Sequence, residues 1–170
     1  MSSKWGDTMR ELQQAEAMAS IFGDLFLADL RHYREARLAE AGLAAVFPLW
    51  GVPTGELIRE FIGLFFKTIT ACVSEQHLDR SFVGWVIDED FLRDLSAHVD
   101  PCGENGEFHT FVFDGPLFSQ PIAFEKGEIV CRQYTVPSSV PAGSDDYDCP
   151  TALSATASLF ATGFWYCYLV

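Results

Sequence analysis

The chain has 170 residues, 49% of them hydrophobic, with 15 phenylalanines and a formal net charge of −13 at a pI near 4.5. Such a composition belongs to a folded chain with room for a real core, and one domain is the default at this length. The acidic balance excludes nucleic-acid recognition through a basic patch and disfavours docking on anionic membranes, so a membrane partner is not expected.

Asp7 to Ala19 has the spacing of a helix: Asp7 is a capping residue, and Met9, Leu12, Ala15 and Met18 recur on one face. Ser20 to Phe22 predicts a short buried strand that stops at Gly23-Asp24. Ligands of open α/β sheets sit at the carboxyl ends of strands. Asp24 there is a candidate for a ribose, a metal or a substrate amine; equally, Gly23 makes a turn and Asp24 caps the next helix.

That helix is predicted over Phe26 to Ala41, with Gly42 as its stop. Arg31 and Arg34 are neighbours on its surface and Arg37 continues the row. A basic stripe in an acidic chain suits a carboxylate or phosphate, or else pairs with Glu35 and Glu40 as a solvated face. Ala44 to Phe47 predicts a second strand, ended by Pro48. Trp50 follows at the strand's carboxyl end, as a pocket wall or as a packed core residue. Thr54 is the expected N-cap of a further helix carrying Leu57, Ile58, Phe61, Ile62 and Phe65 on one face. Lys67 to Val73 is a third strand candidate, rich in β-branched residues. The β-α-β-α-β order predicts parallel strands with right-handed crossovers.

Beyond Val73 the pattern changes. Ser74 to Val83 is loop-like, Gly84 to Ile87 extended, and Asp88 to Leu95 a short helix with an acidic first turn. Then comes Asp100-Pro101-Cys102-Gly103-Glu104-Asn105-Gly106-Glu107-Phe108-His109-Thr110, running into Phe111-Val112-Phe113-Asp114-Gly115-Pro116. Gly103 and Gly106 bracket Glu104-Asn105 and allow the backbone close to a ligand. Strand alternation from Glu107 puts Glu107, His109, Phe111 and Phe113 on one face. A carboxylate and an imidazole at a strand mouth suit proton transfer; a hairpin lead-in that caps its own backbone is the structural alternative. Strands are also predicted at Pro121 to Phe124 and, after a Lys126-Gly127 turn, at Glu128 to Gln133.

Pro137 to Ser144 is a linker by composition. Thr151 to Val170 has no charged residue, which leaves three readings: a membrane tail, a segment docked on the body, or a tail of no evolved function. Five cysteines, Cys72, Cys102, Cys131, Cys149 and Cys167, form neither a disulfide framework nor a zinc spacing. Met1 to Gln14 is too polar for a secretion signal. A cytoplasmic chain with reduced thiols is the expectation.

The Asp-Pro-x-Gly-Glu-x-Gly-Glu-Phe-His-Thr stretch and the following Asp-Gly-Pro-Leu-Phe resemble the signature of the diphthine–ammonia ligase family, a branch of the PP-loop ATP-binding (adenine nucleotide alpha hydrolase-like) enzymes. Phe22 to Leu27 with Arg31 and Arg34, and Phe47 to Gly51, agree with it. The resemblance runs from about Ile21 to about Ile129, and His109 is the variant of the bacterial branch. The family's Ser-Gly-Gly-Lys-Asp-Ser loop occurs nowhere in the sequence.

The resemblance therefore implies the C-terminal part of such an enzyme. The implied fold is α/β: a partial Rossmann-like (HUP-type) parallel sheet with helices over residues 1–73, then a small α+β substrate region over 74–134, with 135–170 outside the family. It implies ATP and Mg2+ as cofactors, and as partners a small-molecule or protein-borne carboxylate and ammonia. The implied site residues are Glu104, Glu107 and His109 for catalysis, Arg31, Arg34, Trp50, Gly103, Asn105, Gly106 and Thr110 for substrate, and Gly23 and Asp24 for the nucleotide. A sheet lacking its first strand would expose an edge, so a homodimer or a partner chain is the alternative expectation.

Overall fold

The computed structural model describes residues 8–9, 11–12, 14–134 and 162–170. They fall into two compact units, one up to Gly51 and one from Val52 onward that includes the 162–170 stretch.

In the first unit, Thr8, Met9, Glu11, Leu12 and Gln14 are helical, and Glu16 leaves the helix at a φ of 57°. Strand β1 (Ala19–Ile21) pairs in parallel with β2 (Ala44–Val46), Ala19 opposite Ala44. Helix α1 (Ala28–Glu40) connects them. It ends in a Schellman motif: the N–H of Leu43 reaches Leu38 O, the N–H of Gly42 reaches Ala39 O, and Gly42 takes a φ of 69°. Leu38, Leu43 and Met9 make the buried cluster, flanked by Leu12, Phe22 and Ala45. The parallel β-α-β expectation is met here.

The second unit begins with helix α2 (Thr54–Gly63). Pro53, with φ near −59°, flanks its start, and no side chain caps it; Thr54 is the first helical residue and not the expected cap. The helix also ends in a Schellman motif, Phe66 N–H to Phe61 O and Phe65 N–H to Ile62 O. Here the left-handed position, φ 64°, is taken by Phe65, which lies beyond the apolar face it was expected to join.

Strand β3 (Lys67–Ser74) is not a third parallel strand. It belongs to a separate antiparallel sheet ordered β4-β3-β6-β5, where β4 is Phe108–Asp114, β5 Lys126–Tyr134 and β6 Thr162–Leu169. The β-branched content of Lys67 to Val73 carries no orientation, and the partner that decides it, β4, lies far along the chain. The register is anchored at one end by the Lys67–Asp114 ion pair at 2.8 Å. It shifts between Thr70 and Cys72, which leaves Ala71 as a bulge.

Of the three readings of the uncharged tail, strand β6 bears out docking on the body for Thr162–Leu169. It lies between β3 and β5, with Val73 opposite Trp165 and Ile129 opposite Cys167. Trp165, Cys167 and Leu169 face the core built on Ile58, Val73, Phe91 and Phe108. A central strand has neighbours along both edges, and charge there would be left without water. No helix among the described residues is long and apolar enough to cross a membrane. Pro121 to Phe124 is not a strand: Ile122 donates to Phe113 O, and the Phe124 ring sits edge-on to Phe111 and Phe113. Lys126-Gly127 opens β5 rather than turning before it.

Phe91, fully buried on the short helix α3 (Glu89–Asp94), centres the core. Its ring meets Phe82, Trp85 and Phe108 edge-on at 5.5 to 5.8 Å. The Asp88 carboxylate caps that helix by accepting the Phe91 N–H at 2.8 Å. Core and helices thus fix the residues preceding β4, where the signature lies.

Candidate functional site

The signature folds as a loop around one carboxylate. Glu107 is 2% exposed. Its Oε1 accepts the Asp100 N–H and the Asn105 side-chain amide, and its Oε2 accepts the Asn105 N–H, all at 3.0 Å. Burial pushes the Glu107 carboxyl up, but the Asp100 N–H, the Asn105 amide and further backbone donors outweigh it and hold the group below the ordinary glutamate value. Asp100 mirrors this one step out, with Oδ2 accepting the Glu104 N–H at 2.8 Å and its carbonyl accepting the Gly103 N–H.

Both bracketing glycines are needed. Gly103 and Gly106 take φ values of 71° and 85°, and a Cβ on Gly103 would meet Phe108 O at 2.9 Å. The Cys102 thiol donates to Thr54 O at 3.4 Å and ties the loop to the start of α2. Burial, with Asp100 and Glu104 nearby, pushes that thiol up to about 12, so it stays protonated and is no nucleophile.

Glu107 and His109, expected to share a face, are separated by environment. Glu107 is enclosed by its own loop, while His109 and Thr110 are exposed on β4. His109 lies opposite Cys72, and Thr110 opposite Thr70, on the two sides of the Ala71 bulge. Glu107 stands one residue ahead of β4, so strand alternation does not reach it. Asn105 is exposed; Glu104 and Gly106 are partly buried.

In the first unit, Asp24, Arg31, Arg34 and Trp50 come together in one ladder of rings and guanidinium groups. Arg34 lies 4.4 Å over the Phe22 ring, Phe22 stacks on Phe47 at 5.4 Å, and Arg31 lies 4.9 Å from Phe47 and 4.6 Å from Trp50. Phe22 follows β1, Phe47 and Trp50 follow β2, and both arginines stand on α1. The ladder is therefore at the carboxyl ends of the parallel strands.

Asp24 does not cap α1, whose N-cap Leu27 has no side-chain bond. It is buried, with Arg34 Nη1 3.2 Å from Oδ2: near enough to pair by charge, but not aligned for a hydrogen bond. Arg31 Nε bonds Glu35 Oε1 at 2.8 Å. Gly23 is exposed with open space around its Cα, so nothing there demands a glycine. Asp100, Phe22 and Phe47 stand in the stretches quoted from the sequence but were given no role there. An Asp opening a Pro-Gly turn is the signal that would have found the first; an aromatic residue directly after each strand would have found the other two.

Residues 53–136 match the family model of the diphthamide synthase C-terminal domain. The chain is 28% identical over 130 residues to a diphthine–ammonia ligase of Homo sapiens, covering 73% of this chain and 49% of the relative. It is 27% identical over 133 residues to that of Mus musculus, with the same coverage. The chain thus spans about half the length of the curated relatives it matches. The matched stretch contains the whole Glu107 loop and the strands on either side of it, so it is over the residues that shape this site that the chain is similar to the diphthine–ammonia ligases.

Proposed function

We propose that the chain serves an ATP-dependent carboxylate–ammonia ligase of the diphthine–ammonia ligase type, and that its signature loop belongs to the amidation side of the site. The observation that carries this reading is the loop itself: two carboxylates, Asp100 and Glu107, are consumed in shaping the eight residues between and including them, which leaves Glu104 and Asn105 on the loop and the exposed His109 and Thr110 just beyond it on β4. ATP would supply an adenylyl group to the carboxylate, releasing pyrophosphate, and ammonia would then form the amide bond as AMP departs. Glu104 would hold ammonium, and His109 would take its proton as the nitrogen attacks. Glu107, ionised and enclosed, would position the loop. Asn105 and Thr110 would orient substrate oxygens, with Gly103 and Gly106 keeping the backbone close. Asp24, with Gly23 beside it, would face the nucleotide.

A phosphate or carboxylate oxygen fits the Arg31 end of the ladder. Mg2+ is assigned to no residues, because among the described residues no three His, Cys, Asp or Glu side chains converge. The test is calorimetry of the full chain with ATP and Mg2+, followed by AMP release with ammonium and a diphthine-bearing protein. Heat of binding and ammonium-dependent AMP are expected; neither at millimolar ATP would sink the reading for this chain alone.

A second reading is a subunit that docks on another polypeptide bearing the phosphate-binding loop. It is favoured by β1 and β2, a two-stranded parallel sheet with Ile21 73% and Val46 42% exposed, whereas parallel sheets are normally covered on both faces. Sedimentation of the chain with and without such a polypeptide tests it: co-sedimentation supports docking, and independent boundaries rule it out.

A further inference from the structure

Arg31 and Arg34 look equivalent in the sequence, as neighbours on one face of α1, but their surroundings differ. The Arg34 guanidinium faces the buried Asp24 carboxylate at 3.2 Å, so its charge is already matched inside the unit. Arg31 has a partner only at Nε, the half-exposed Glu35, and among the described residues nothing bonds its two terminal nitrogens. The Arg31 guanidinium carbon lies 4.9 Å from the Phe47 ring centroid and 4.6 Å from that of Trp50, and the two rings, turned 71° from one another, hold the group from two directions. A guanidinium held beside rings and bonded at Nε still has its end-on edge, two parallel N–H donors matched in spacing to two oxygens of one anion.

We propose that Arg31, and not Arg34, is an oxyanion fork that takes a carboxylate or phosphate end-on between its terminal nitrogens, with Trp50 and Phe47 as its walls. This rests on the ligase reading only for what the anion would be: the carboxylate to be activated, or a phosphate of the nucleotide. The fork stands on geometry that needs neither. Glu35 acts as an internal competitor, because its carboxylate draws on the same positive charge that an incoming anion would use.

The experiment is a titration of the full chain with inorganic phosphate, acetate and AMP, followed by the chemical shifts of the Trp50 indole and Arg31 side-chain N–H groups. Saturable shifts are expected with at least one of them. Phosphate and AMP acting while acetate does not identifies the nucleotide as the source, and the reverse identifies the carboxylate. Arg31→Lys, which replaces a fork by a point charge, should weaken binding roughly tenfold, whereas Arg37→Lys on the same helix should leave it unchanged. Glu35→Gln, an isosteric change at a half-exposed position, should tighten binding several-fold by removing the competitor. No saturable shift with any of the three anions, or Glu35→Gln without effect, would overturn the proposal, as would an equal loss in Arg34→Lys. The ligase reading fails separately: anion binding without ammonium-dependent AMP release removes the ligase and leaves the fork, and AMP release with no saturable anion shift at Arg31 or Trp50 removes the fork and leaves the ligase.

Discussion

The Glu107 carboxylate accepts the backbone N–H of Asp100, seven residues earlier, at 3.0 Å, and so closes the signature loop from its last residue back to its first. Removing that acceptor leaves the Asp100 and Asn105 N–H groups without a partner in a site water barely reaches. Glu107→Ala should therefore cost about 2–3 kcal/mol in urea unfolding. Glu107→Gln keeps one acceptor and should cost about half as much. Equal costs for the two would mean that packing, and not hydrogen bonding, holds the loop.

The same carboxylate makes stability depend on acid. Its native pKa lies below the ordinary glutamate value, so the unfolded chain binds the proton more readily. The stabilisation is complete above the ordinary range, near pH 4.3 for an unfolded glutamate, and is lost as pH falls through the lower native value. Wild type should lose stability on acidification more steeply than Glu107→Gln. Parallel pH profiles would remove Glu107 as the origin.

Cysteine reactivity should separate by environment. Cys131 is exposed, Cys72 and Cys167 are buried, and the Cys102 thiol is pushed up to about 12. Iodoacetamide at pH 8 in native conditions should modify Cys131 and spare the other three by peptide mass mapping; Cys149 lies outside the described residues. Rapid alkylation of Cys102 would contradict the closed loop.

Helices α1 and α2 end in the same motif with different residues at the left-handed position, Gly42 in one and Phe65 in the other. Left-handed backbone costs a side-chain-bearing residue about 1–2 kcal/mol, and Phe65 recovers little by burial because it is 81% exposed. Phe65→Gly should raise stability by about 1 kcal/mol, and Gly42→Ala should lower it by a similar amount. Calorimetric melting checks both, and a destabilised Phe65→Gly would show that the exposed ring has a role in the fold.

Tyr134 and Thr162 are Cα partners across β5 and β6. A two-residue Asn-Gly turn in place of residues 135–161 should then leave the sheet intact, since that turn closes antiparallel neighbours. Deleting Thr162 to Val170 should instead unfold the second unit by taking out the strand between β3 and β5. Near-UV circular dichroism distinguishes the two outcomes.

What the sequence discloses is what is local. The helices, the Gly42 stop, the Asp88 helix start and the loop bracketed by Gly103 and Gly106 each depend on residues a few positions apart. The pairing of β3 does not: Lys67 to Ser74 reads as a strand, but its neighbours are Phe108–Asp114 and Thr162–Leu169, and no local pattern names them. Strand β6 was hidden for a different reason. Phe164, Trp165, Tyr166 and Cys167 put apolar or aromatic groups on both faces, which removes the alternation that announces a half-exposed strand. The face assignment that joined Glu107 to His109 failed because Glu107 stands one residue ahead of β4, where strand alternation does not hold.

In the ladder that runs from Arg34 to Trp50, a long and otherwise supple side chain is held by rings on strand ends. A free arginine carries about 2 kcal/mol of rotamer entropy, which a ligand must ordinarily suppress as it binds. At Arg31 much of that freedom is surrendered when the unit folds, before any anion arrives. Softening Phe47 or Trp50 to leucine would return it, and the loss would appear as a less favourable binding entropy with the contact enthalpy little changed.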